Sequence, residues 1–106
     1  MEELELICFR IITYVGNARS SYIEAIHYAQ NGCYEEAEKK LKEGEASFIE
    51  GHHAHATLIQ QEAGGEHTMV TLLLVHAEDQ LMSAESFCTI AREFINLHKK
   101  VNALLP

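Results

Sequence analysis

Proline occurs once in the 106 residues, at the last position, so nothing inside the chain forbids a helix. Glycine is nearly as scarce, with six residues, and tryptophan is absent. Cys8, Cys33 and Cys88 are odd in number and widely separated. They build neither a disulfide framework nor a C-x-x-C pair, and read as free thiols in a reducing compartment. Positive charge is also short: eight Lys and Arg stand against sixteen Asp and Glu, a formal charge of −8. No basic patch is left to displace counterions from nucleic acid, or to hold the chain on an anionic membrane. The longest apolar run, Val70 to Val75, is broken by Thr71 and falls well short of a membrane span. Glu2, Glu3 and Glu5 occupy the start, where an export signal or transit peptide would be basic, so a cytoplasmic protein is expected. Nucleophile-elbow, phosphate-loop, H-E-x-x-H and dinucleotide motifs are all missing, which argues against an independent metabolic enzyme.

What remains is a chain that is 47% hydrophobic and 23% charged, the balance of one soluble domain spanning residues 1–106. Asn31-Gly32 and Gly64-Gly65 divide it into three nearly equal parts. Each part repeats its apolar residues at three- and four-residue spacing, with no sustained alternation. Helices are therefore expected over about 3–30, 34–63 and 68–103, the third capped by Thr68. Short connections make neighbours antiparallel, so the fold class is all-α, an elongated up-down-up three-helix bundle.

The third helix carries two apolar stripes. One runs Met69, Leu73, His76, Gln80, Ser83, Phe87, Ile90, Phe94, Leu97 and Val101; the other runs Leu74, Ala77, Leu81, Ala84, Cys88, Ala91 and Ile95. A helix apolar on two sides must be covered on two sides, and two partner helices cannot do that alone. Self-association through this helix is expected, as a dimer or a trimer.

His76 and Gln80 interrupt the first stripe. Asp79 and Gln80 follow His76 by three and four residues, so both lean back toward the imidazole. Three readings fit. His76 is a satisfied core histidine in a buried His-Asp-Gln network that fixes register, which makes the chain a non-catalytic interaction module. It is a metal ligand beside Asp79, with too few partners unless other chains help. Or it is a nucleophile, a neutral imidazole with one nitrogen free. A separate group, His52, His53 and His55, has two members one turn apart but no second ligand pair, and reads as a polar helix face.

Further motifs select among these readings. Gly16-Asn17-Ala18-Arg19-Ser20, Glu24-Ala25, Asn31-Gly32, Glu36-Ala37, Leu58-Ile59-Gln60-Gln61-Glu62-Ala63-Gly64-Gly65 and Leu72 through Met82 occur in an order and spacing that resembles the lactose/cellobiose-type IIA component of the bacterial phosphoenolpyruvate-dependent sugar phosphotransferase system. The resemblance implies an antiparallel three-helix unit assembled as a homotrimer. It implies that His76 is the phosphorylated residue and that Asp79 lies near the threefold axis, where three copies hold a divalent cation, Mg2+. It implies three partners: the histidine-containing phosphocarrier protein as donor, a IIB component as acceptor, and the membrane IIC component indirectly, as a disaccharide is imported. One departure concerns the site. Family members usually carry a second histidine where this chain has Gln80, an amide that donates a hydrogen bond but no proton.

Overall fold

Why the chain folds into three helices is visible in the computed structural model, which describes residues 3–106. Among these residues there is no strand. The elements are α1 (Glu3–Gln30), α2 (Tyr34–Ala63) and α3 (Leu72–Ala103). Their 28 to 32 residues give a rod of 61 × 21 × 20 Å.

Side-chain pairs fix the directions. Gly44 of α2 lies on Tyr22 and Ala18 of α1, whereas Gly51 lies on Val15 and Ile11, so α1 and α2 run antiparallel. His55 meets Glu78, Glu45 meets Arg92, and Tyr34 meets Asn102, so α2 and α3 are antiparallel too. The bundle is the expected up-down-up arrangement. α1 is the central helix and packs against both others; α2 and α3 share less surface.

Two clusters make the core. At one end Ile7, Cys8, Ile11 and Val15 of α1 meet Leu58 of α2 and Leu74, Ala77 and Leu81 of α3. At the other, Ala18, Tyr22, Ala25 and Ala29 meet Ala37 and Leu41 of α2 and Ala91 and Ile95 of α3. Phe48 touches both clusters. Alanines at the crossings let the backbones approach, and each large aliphatic side chain removed from water contributes about 1.5–3 kcal/mol.

The two turns close differently. α1 ends in a left-handed Gly32 (φ +80°), and the Cys33 amide donates to the Tyr28 carbonyl at 2.8 Å. Asn102, arriving from α3, donates to the Ala29 carbonyl at 3.1 Å and to the Tyr34 hydroxyl at 2.9 Å, which locks this end. The second connection is longer than the glycine pair suggests. It runs from 64 to 71, and α3 begins at Leu72 instead of after Thr68. Thr71 is the cap: its hydroxyl accepts from the Leu74 amide at 3.1 Å. Thr71→Ala should therefore lower stability by about 1 kcal/mol in urea unfolding, while Thr68→Ala, outside the helix, should not reproduce the loss.

Candidate functional site at the exposed seam of α3

α3 presents its two stripes to two different environments. Leu74, Ala77, Leu81, Ala84, Ala91 and Ile95 are buried against α1 and α2. The stripe containing His76 faces outward. Along it Ile90, Phe94, Leu97 and Val101 are 44–52% exposed, and no Lys, Arg, Asp or Glu interrupts the series from Leu73 to Leu104. His76 is exposed, as is Asp79, and Gln80 is half-buried.

This corrects one of the expectations above. Among the described residues no polar or charged side chain is buried, so His76, Asp79 and Gln80 are not a buried network inside the chain. Burying them would require partners to replace lost water. The apolar seam on the other side of the helix supplies the core, and the mixed seam is left in solvent. Neither His76 nor Asp79 joins any of the side-chain hydrogen bonds or ion pairs among the described residues. The imidazole is reachable by another molecule, and its nitrogens bond to no other described residue.

The surroundings of His76 are apolar at the amino end of the helix. Leu72 is 86% exposed and Val75 50%, and Met69 and Val70 in the preceding connection are both 76% exposed. His76 is the fifth residue of α3, and the amides just before it are taken: Leu74 donates to the Thr71 hydroxyl and Val75 to the Thr71 carbonyl, both at 3.1 Å, so neither is offered to an incoming anion. Further donors must come from other molecules or from side chains such as Gln80.

The remaining histidines divide. His52 and His53 are exposed, and the His52 ring stacks near Phe48 with centroids 6.1 Å apart. His55 is different: its side chain is only 19% exposed, and Nε2 lies 2.9 Å from Glu78 Oε1 on α3. Sequence reasoning placed it on a polar face; no spacing rule links two residues 23 apart. Among the described residues no group of three His, Cys, Asp or Glu side chains within the chain could hold a metal ion, so His52, His53 and His55 do not gather into one there. The three thiols are free: Cys8 is buried, Cys88 half-buried and Cys33 exposed. Burial first, then the charges of Glu78 and Glu5, push the Cys8 thiol up.

Residues 6–99 match the family described as PTS system, Lactose/Cellobiose specific IIA subunit. The chain belongs to this family. The lichenan-specific phosphotransferase enzyme IIA component of Bacillus subtilis is 49% identical over 100 residues, covering 94% of this chain and 91% of the relative. The cellobiose-specific enzyme IIA of Bacillus anthracis superposes with a TM-score of 0.95 at 41% identity, covering 98% of this chain and 95% of that one. The IIA(chitobiose) protein, solved in complex with HPr from the Escherichia coli phosphotransferase system, superposes with a TM-score of 0.82 at 31% identity, covering 96% and 99%. The chain is thus a IIA component, a phosphoryl carrier of sugar uptake. No helix among its described residues is long and apolar enough to cross a membrane.

Proposed function

We propose that this IIA component carries its phosphoryl group on His76, receives it from the histidine-containing phosphocarrier protein, and passes it to a IIB component that phosphorylates a disaccharide during import through IIC. The observation that carries this reading is the position of His76 on the solvent-facing seam of α3, beside an exposed apolar collar. Cytoplasmic action follows from the proposed partners.

In the transfer, the N–P bond of the donor's phosphohistidine breaks and a new N–P bond forms at an unprotonated ring nitrogen of His76. The donor imidazole leaves with the electron pair of the broken bond. Such a step needs positioning and charge compensation more than covalent machinery. Gln80, one turn further along the same seam, is placed to orient the ring or donate to the phosphoryl oxygens. It does so as a neutral amide, where relatives usually have a titratable imidazole.

The outward seam of α3 supports a homotrimer. From Phe87 to Leu104 the three-four repeat is wholly apolar, which suits packing against like helices, while His76 and Gln80 lie at the amino end of the seam, beyond that packing. Asp79 stands beside this seam and gives hard oxygen donors, which suit Mg2+. One carboxylate per chain is too few, so the cation fits only where three copies of Asp79 gather. When bound it would neutralise carboxylates that otherwise repel one another. Sedimentation of Asp79→Asn and Asp79→Leu, with and without chelator, tests this. If the cation bridge is net stabilising, wild type loosens on chelation and both variants are looser than loaded wild type. Variants that associate more tightly, with no response to chelator, would show that repulsion dominates and that no cation is held.

The reading is tested by incubating the chain with phosphoenolpyruvate, the general first enzyme and the phosphocarrier. One acid-labile phosphate per chain is expected, and it should pass to a cognate IIB. Absence of label would contradict the reading.

A further inference from the structure

Glu78 follows His76 by two residues, which places it about 200° round the helix. His76 faces outward, while Glu78 faces the groove toward α2 and lies close enough to Cys8 of α1 for its charge to act on the buried thiol. There His55 of α2 meets it, Nε2 to Oε1 at 2.9 Å. We propose that His55 is a positioning residue for phosphoryl acceptance: through Glu78 it sets the rotation of the first turns of α3 and hence the direction in which His76 is presented. The inference rests on His76 being the phosphorylated residue.

Three observations support it. First, the amino end of α3 is weakly anchored from its own side. The connection leading into it leaves Met69, Val70 and Leu72 largely in solvent, so burial of those side chains does not fix the helix. Second, apolar packing at this end holds α3 chiefly to α1. Leu74, Ala77 and Leu81 meet Ile7, Cys8 and Ile11, whereas α2 contributes Leu58 as its buried partner. Apolar contact has no preferred direction, so a hydrogen bond adds an orientational constraint that this packing lacks. Third, the His55–Glu78 contact is half sheltered. His55 is 19% exposed and Glu78 49%, so the pair is neither fully screened by water nor fully desolvated. The other polar ties between α2 and α3, Glu45 with Arg92 and Tyr34 with Asn102, lie progressively further toward the opposite end. His55 is therefore the polar tie nearest the reacting turn.

The tie needs a donor on α2 more than it needs a charge. Both the neutral Nε2–H tautomer and the imidazolium donate to a carboxylate. A glutamine at 55 keeps a donor of similar reach, and a leucine removes it while keeping apolar bulk. A misplaced reacting group costs rate even when the fold is intact.

The experiment measures phosphoryl acceptance by His76 from the phosphorylated carrier for wild type, His55→Leu and His55→Gln, with amide hydrogen exchange of residues 74–80 on the same samples. His55→Leu is expected to lower the acceptance rate about tenfold at saturating donor, with faster exchange in 74–80 and an unchanged helical circular dichroism signal. His55→Gln is expected to recover most of the rate and the protection. Equal rates for wild type and His55→Leu, or a loss in both variants alike, would overturn the proposal. Wild type that takes up no label on His76 would instead refute the underlying reading, so the two failures are told apart.

Discussion

His76→Ala should take up no phosphate from the phosphorylated carrier, against one per chain for the wild type, while keeping its helical content and melting temperature. His76 is exposed and joins none of the hydrogen bonds or ion pairs among the described residues, so removing the ring breaks none of them. Surface substitutions of that kind usually change stability by less than about 0.5 kcal/mol. Activity and stability should thus separate cleanly. A variant still labelled to the wild-type level would move the phosphate to another residue. A variant that unfolds would show that His76 is a packing residue after all. The loss should be complete, because no other histidine stands on the same seam.

The second large effect concerns the α1–α2 crossing. Gly44 is buried, and a Cβ placed there would lie 2.5 Å from Tyr22 Cε1, 2.7 Å from Cδ1 and 3.1 Å from the Ala18 carbonyl oxygen. Tyr22 is the largest fully buried side chain of the core, so its ring has little room to withdraw. Helix propensity favours Ala over Gly by about 1 kcal/mol. Overpacking a filled core costs about 1–3 kcal/mol, and here the ring and a backbone carbonyl obstruct together. The clash should win, and Gly44→Ala should lose about 1–2 kcal/mol in urea unfolding, with Gly44→Val losing more. Gly16→Ala is the control. Nothing lies within 4 Å of a Cβ at that position, so the isolated chain should gain up to about 1 kcal/mol. A stabilised Gly44→Ala would mean that α1 and α2 move apart freely, contrary to the packing described.

The contrast between these glycines shows where the sequence speaks and where it is silent. Periodicity alone located three helices, their approximate ends and the Asn31-Gly32 turn, because apolar spacing and left-handed glycine are local signals. At Gly44 and Gly51 the local sequence shows only lowered helix propensity. Their purpose, close approach of α2 to Tyr22 and Val15, lies in residues more than twenty positions away. The start expected for α3 lies a few residues early because Thr68 and Thr71 are equally good caps in isolation, and the Thr71 hydroxyl is the one that meets a helical amide.

The site was legible in composition and not in environment. His76, Asp79 and Gln80 stand out as polar residues in an apolar stripe. With two stripes on one helix, no local rule says which turns inward. The stripe of Leu74, Ala77, Leu81 and Ala84 is smaller and wholly apolar, so it fits between two close helices, and the mixed one is left outside. That choice decides whether His76 is a core residue or an accessible nucleophile. The His55–Glu78 pair was invisible for the same reason as the glycine contacts: it joins two helices across 23 residues.

The most direct test maps the phosphate on the wild-type chain. After transfer from the phosphorylated carrier, phosphorus–ring couplings and histidine ring shifts would be recorded by NMR at alkaline pH, where phosphohistidine survives. The chain has seven histidines. Coupling to the His76 ring alone, lost when a IIB component is added, is the result expected. Coupling to any other histidine, or a phosphate resonance coupled to no imidazole, would contradict the account at its centre.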